Sequence, residues 1–453
     1  MTAGGMWTRS VGIVATALLL GGAIVDASAK IVEGNPSNAR KLASSLKPGD
    51  TLKLAAGTYT SGMRLNNLRG TPDAWITIEG PDSGDPAVFM ARRGANTLGM
   101  RNCCYVAIRN LHFDGKHIRG VDAIKASTVG QPATHHIIIE GCTIKNHDGH
   151  QNTVGISTKT DTWGWIIRNN RVISCGTGLY LGNSDGQRPF VNGLIENNLT
   201  VNPIGYCMQI KYQKKRPDIE GMPQGPCSTI IRNNVFIKND RHSDAGNRPN
   251  LLVGNFPDSG DGSQDLYEIY GNLFVHNPRE SLLQVAGGVT IHDNVFVDVK
   301  GNAIRVQSNR GHPVKRVSIY NNTFYKAGTG VSIGDRAHVD QLIGNLIFAG
   351  RATRRNPKVS RDNIVGSVAD AATYLTKPSV KPGEMNFYPL EDKCQGEPLD
   401  LSAFSKDKDY NLDFNGQSKG DFKYRGAYAG SGENPGWKLQ AENKPNGPGS
   451  GDK

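Results

Sequence analysis

Lys211, Lys214, Lys215 and Arg216 crowd into one short stretch, YCMQIKYQKKRPDIEGMPQGPC, residues 206–227. Four cations this close repel one another and attract anions, so the stretch suits gripping a negatively charged chain. A second stretch, NDRHSDAGNRPNLLVGNFPDSGDGSQD, residues 239–265, adds His242 and Arg248. It also offers Asp258, Asp261 and Asp265 as hard oxygen ligands suited to Ca²⁺, without the alternating acids of an EF-hand loop. Elsewhere His147 and His150 stand three apart in NHDGHQN, a spacing read here as a turn rather than a metal site. Cys207 and Cys227 bracket the basic stretch and are expected to form a disulfide, a loop closure of roughly 3 kcal/mol in the chain-entropy account. With seven cysteines at least one stays unpaired, and the other five can equally be buried apolar residues.

The elements that must position these groups are short and repeated. VAIRNLHF, IIIEGCTI, IIRNNRVI, LIENNLTV, IIRNNVFI, EIYGNLFV, TIHDNVFV, SIYNNTFY and QLIGNLIF align on Asn110, Gly141, Asn170, Asn198, Asn234, Asn272, Asn294, Asn322 and Asn345, at spacings of 22 to 38 residues. Each is a strand, a bend and a second strand, and a third alternating run lies between successive copies. Three short strands per turn with Asn and Gly corners specify an all-β, single-stranded, right-handed parallel β-helix. Asn tolerates left-handed backbone, and its amide can bond the Asn one coil away, so these residues are scaffold.

Alternation sorts the third run into two faces. Leu179, Leu181, Met208, Ile210, Leu251, Val253, Leu283, Val285, Ile304, Val306, Val331 and Ile333 should face the core. Tyr180, Gln209, Lys211, Leu252, Gln284, Arg305, Gln307 and Ser332 should then face outward in one stack, with Gln213 a further candidate. A phenol, cations and amides in a row suit a polar linear ligand. The two longest spacings are consecutive and hold insertions 211–226 and 239–265, which should wall a cleft beside that sheet.

The first coil is expected at 47–60 and 75–81, after a capping helix at 37–45. Residues 1–29 read as a signal peptide: Arg9, an apolar run, then Ala27, Ser28 and Ala29 before the mature start at Lys30. The apolar run is too short for a membrane span. The chain of 453 residues has 55 glycines and a formal charge of +11, unchanged by removal of residues 1–29. For an exported monomer this charge favours acidic polysaccharide over nucleic acid, for which no helix-turn-helix or zinc-finger spacing is present. The repeat stops after Gly350. Residues 351–431 should pack on the solenoid as a non-repetitive extension, and 432–453 read as a disordered tail.

The chain resembles the exported parallel β-helix carbohydrate-active proteins, in particular the chondroitinase B and alginate lyase family of polysaccharide lyases. Pro48, Gly49 and Asp50, then Gly57, Thr58 and Tyr59, then Ile76 to Gly80 carry the resemblance. It implies β-elimination of a uronic-acid polymer: a Lys base removes the proton α to the carboxylate, an Arg one coil on assists the leaving oxygen, and Ca²⁺ neutralises the carboxylate. Arg305 stands where that Arg would lie and Glu280 is retained. The family's Lys would fall near Val285 or Ala286 and is absent, and Lys211 lies about three coils away, roughly 14 Å along the axis.

The expected function is therefore a polysaccharide lyase with Lys211 or Tyr180 as base and Arg305 on the polymer. Substrate contacts are expected from Gln209, Gln213, Lys214, Lys215, Arg216, His242, Arg248, Gln284, Gln307 and Glu280. A glycoside hydrolase would need two carboxylates across the cleft, drawn from Asp240, Asp244, Asp258, Asp261, Asp265 and Glu268. A uronate epimerase and a non-catalytic polysaccharide-binding protein are the other readings.

Overall fold

The computed structural model describes residues 1, 29–127 and 133–445. The expected signal peptide and the last eight residues fall outside these, apart from Met1 and Ala29. The chain winds as a parallel β-helix of three faces. The first face is a 13-stranded parallel sheet that begins at Ile31–Gly34 and ends at Val359–Arg361. The second and third faces are parallel ladders joined into one 21-stranded sheet. Two long strands, Val295–Val306 and Thr323–Ile333, bend from one face to the other. Ala39–Ala43 forms the expected capping helix.

Each corner between the first two faces divides its work between two adjacent residues. Asn169, Asn197, Asn233, Gly271, Asp293, Asn321 and Gly344 take the left-handed backbone, with φ between 48° and 65°. The next residue is a buried Asn that builds the ladder. Asn170, Asn198, Asn234, Asn272, Asn294, Asn322 and Asn345 each donate from the side-chain amide to the next carbonyl oxygen at 2.9 or 3.0 Å. Asn110 and Gly141, aligned with these from sequence, belong one position earlier. Both take the left-handed turn, and Leu111 and Cys142 occupy the inward site.

The solenoid also runs further than Gly350. Thr353–Arg354, Val359–Arg361 and Ile364–Gly366 complete another coil, and Asn363 ends the ladder. Beyond it the chain turns back along the second face. There Leu199, Val235, Leu273, Val295 and Leu346 point outward and are buried under Phe387, Tyr388, Phe414, Tyr428 and Leu439. Residues 432–445 share in this packing, against the expectation of a disordered tail. Asn443 donates to the carbonyls of Asn170 and Asn197, at 3.1 and 2.7 Å. The buried Lys444 amine donates to Asn233 and Gly271, each at 2.9 Å. Tyr270, His292 and Tyr320 on the first face stack in turn, ending on Phe404 of the extension. The extension thus closes the second face and its corner with the first. The extension leaves the third face uncovered.

Candidate functional site

The register of the third face places one outward residue per coil in a single row. Arg64, Gly99, Lys125, Ser157, Tyr180, Gln209, Leu252, Gln284, Arg305, Ser332 and Arg354 follow one another directly. Lys159 and Lys211 lie two residues after Ser157 and Gln209, so the same alternation aims them outward on the coils either side of Tyr180. Lys211 sits level with Gly182 and Gly254, which put no side chain beside it. At Gly254 a Cβ would meet the Tyr212 backbone nitrogen at 2.2 Å, so glycine is required there.

Burial does the electrostatic work. The Lys159 amine stands 2.8 Å from the centre of the Tyr180 ring, and Lys211 stands 5.6 Å from it. Desolvation, then the charge of Lys125, brings the Lys159 amine down to about 7, against the partial attraction of the ring face. Burial, with Arg310 and Arg248 nearby, also lowers Lys211. Burial raises the Tyr180 phenol above its ordinary range. Burial thus holds the proton on Tyr180 and loosens it on Lys159, a residue not singled out from the alternation of the row. Its signal was available: ISTKT continues the TVGIST run by two residues, which places Lys159 outward beside Tyr180.

The insertions stand on opposite edges of this face rather than side by side. Residues 238–250 rise where the chain enters it, and carry His242 and Arg248. Arg248 lies 5.7 Å from the centre of the Tyr206 ring, and exposed His242 pairs with Asp244 at 3.4 Å. Residues 211–227, 254–265 and 307–316 rise where the chain leaves it. Arg310 stacks over Tyr212 at 4.1 Å and His312 meets Asp258 at 2.9 Å, tying the three loops into one wall. Lys214 and Lys215 are exposed on it.

Several expected contacts are structural instead. Arg216 is 3% exposed and forms a buried ion pair with Asp265. It also donates to the carbonyls of Pro223 and Gly225, at 2.6 and 2.9 Å, so it anchors the loop and cannot grip a ligand. Gln213 is buried and donates to the Phe190 carbonyl at 3.2 Å. Gln209 is buried in the row between Tyr180 and Leu252. Glu280 accepts from the Ser281 backbone at 3.3 Å, while Gln284 and Gln307 remain half-buried on the face.

No disulfide joins Cys207 to Cys227. Cys207 is in the core at the start of the third-face strand, and Cys227 is beyond its other edge, beside Arg216. The loop is braced by that ion pair, and by Met222 and Ile219 packing on Trp163. Arg216→Ala should destabilise the fold by about 3–5 kcal/mol, because Asp265 would be left buried and unpaired. Chemical denaturation measures this, and Arg216→Ala combined with Asp265→Ala should recover part of the loss.

The aspartates expected to hold calcium are engaged separately: Asp258 by His312, Asp261 by Lys215 at 3.9 Å and Asp265 by Arg216. Among the described residues no three His, Cys, Asp or Glu side chains gather as a metal requires. These residues do not fit a calcium site, and the chemistry below uses protein groups alone. The carboxylates expected for hydrolysis are likewise scattered. Asp240 pairs with His276 at 3.1 Å, and Glu268 lies on the first face beneath the extension, accepting from the Lys408 backbone at 2.8 Å.

Fold and face together define a parallel β-helix with one open, cation-rich side. No protein-family model and no curated protein matches the sequence. Among solved structures, the chain is similar to the A-module of a mannuronan C-5 epimerase from Azotobacter vinelandii, with 16% identity over 74% of this chain and 96% of that one, at a TM-score of 0.50. It is also similar to an alginate lyase from Paenibacillus sp. str. FPU-7, with 16% identity over 74% and 99% of the two chains, at a TM-score of 0.44. A lacto-N-biosidase from Eubacterium ramulus shares 11% identity over 74% and 68%, at a TM-score of 0.47. What the chain shares with the epimerase module is the solenoid. No helix among the described residues is long and apolar enough to cross a membrane.

Proposed function

We propose that this chain is an exported polysaccharide lyase that cleaves a uronic-acid polymer by β-elimination over its third face. The observation that carries the reading is the pairing of Lys159, an amine lowered to about 7, with the still-protonated Tyr180 phenol. The neutral Lys159 amine takes the proton from the carbon α to the carboxylate. The electron pair left behind forms the new carbon–carbon double bond as the bond to the β oxygen breaks. The Tyr180 hydroxyl gives its proton to that oxygen. Lys211, with Arg310 and Arg248 behind it, supplies the positive charge that acidifies the carbon–hydrogen bond through the carboxylate. Arg305 lies three coils beyond Lys211 and is not assigned to the reacting centre.

The test is incubation with alginate, pectate, glucuronan and glycosaminoglycans, followed by product mass and ultraviolet absorbance. Elimination yields an unsaturated uronate that absorbs, and products summing to the mass of the parent chain. Products heavier by one water would replace this reading with hydrolysis. Altered composition without cleavage would mean epimerisation, where the proton returns to the same carbon. Binding without any change in the polymer would leave a non-catalytic protein.

A further inference from the structure

The row on the third face continues beyond the reacting centre to a second group of cations. Arg305 and Arg354 occupy the same register position two coils apart, roughly 10 Å, with the small, buried Ser332 between them. Both guanidiniums are exposed, and neither makes a hydrogen bond or ion pair with a described residue. The nearby carboxylate, Asp335, is engaged by Arg355 at 2.5 Å. Together with Gln307 and Gly334 these residues line a polar groove of about 260 Å³. Two unpaired guanidiniums facing one groove repel each other, and a bidentate carboxylate between or upon them relieves that repulsion.

Between this groove and Lys211 the row presents Leu252 and Gln284, neither of them charged. A linear ligand can therefore cross those coils on an apolar and an amide contact and meet charge again at Arg305. The distance from the Lys211 coil is three coils to Arg305 and five to Arg354, roughly 14 and 24 Å.

We propose that Arg305 and Arg354 form a second anion subsite, which holds a carboxylate of the same acidic polysaccharide several residues along the chain from Lys159 and Tyr180. This rests on the elimination reading only for the identity of the polymer. The subsite makes affinity depend on chain length and favours attack within a chain over attack on a short fragment. Arg305 is a binding residue here, which accounts for its standing without a neighbouring Lys base.

The experiment compares the wild type with Arg305→Gln/Arg354→Gln, using alginate and polygalacturonate oligosaccharides from disaccharide to octasaccharide. Calorimetry gives affinity and steady-state assay gives KM and kcat. In the wild type, affinity should climb once the oligosaccharide is long enough to reach Arg305. The double variant should bind the octasaccharide about 10–100-fold more weakly, the loss of two charge-assisted contacts, with the change in KM and not in kcat. Arg305→Lys/Arg354→Lys should recover part of it. Octasaccharide affinity within about twofold of wild type would overturn the subsite, and would leave elimination standing if turnover persists. Arg-dependent binding of the octasaccharide without turnover would do the reverse, retaining the subsite and removing the elimination reading.

Discussion

Lys159→Met should lower turnover of the acidic polymer by about 10³-fold, within the range general-base removal gives, while the protein stays folded. The wild-type rate should depend on pH in a way that identifies the group. With the amine lowered to about 7, kcat/KM should rise with pH through that value as neutral amine accumulates, then level off. It should fall again in the alkaline range, where Lys211, lowered by burial, loses its charge and the Tyr180 phenol, raised by burial, ionises. Tyr180→Phe should remove most of the activity and leave only the Lys211 part of that alkaline limb. Stability moves the other way from a simple structural defect. The unfolded chain holds the Lys159 proton up to about 10.5 and the folded chain releases it near 7. Between these values the unfolded state binds more protons, so this group's contribution to stability rises with pH. Below about 7 folding keeps a half-buried ammonium, and Lys159→Met should be at least as stable as wild type there. A variant inactive yet undiminished in thermal stability at pH 6, measured by circular dichroism, would meet both expectations. Retained turnover would remove Lys159 from the mechanism.

Asn234→Ala should be the most damaging single change in the scaffold, at about 3–6 kcal/mol if two buried groups lose their partners at 1–3 kcal/mol each and a cavity adds to it. Its carbonyl oxygen accepts from both the backbone and the amide of Asn198, at 3.0 and 2.9 Å. Its own amide donates to Ile195, Arg232 and Asn272, at 2.9, 2.9 and 3.0 Å. Alanine leaves donors and acceptors unpaired on two neighbouring coils in a dry interior. Asn233→Gly, one residue earlier, should be nearly silent in the backbone, since Asn233 has a φ of 56° that glycine adopts freely. It does remove the acceptor for Lys444, so its loss should match that of Lys444→Met rather than that of Asn234→Ala. Urea denaturation of the three variants separates ladder from turn. Equal losses at Asn233 and Asn234 would refute the division of roles between them.

The neighbouring pair shows where sequence pattern stops being informative. Both positions favour Asn, one for its left-handed backbone and the other for its amide, so the two roles merge in the alignment. Asn110 illustrates this: it follows the same Arg as Asn169 does, yet Leu111 occupies the ladder site after it, and only the strand register distinguishes them. Arg216 was legible as a cation and not as a buried one, because its partner Asp265 lies 49 residues away. Cys207 and Cys227 bracket a loop in sequence, but the strand Met208–Ile210 carries them to different edges of the face.

By itself the sequence determined the solenoid, its inward and outward alternation, and the row containing Tyr180, Gln209 and Arg305. These follow from local rules: a period of two within strands, and turn chemistry at corners repeated along the chain. Tertiary structure decided that the second face is closed and the third left uncovered, because the extension covers the second face with residues distant in sequence. It also decided what surrounds each cation. Desolvation and neighbouring charge lower the Lys159 amine, and Arg216 becomes an anchor through a buried partner. Both are properties of what surrounds a side chain in space, which residue order alone does not specify.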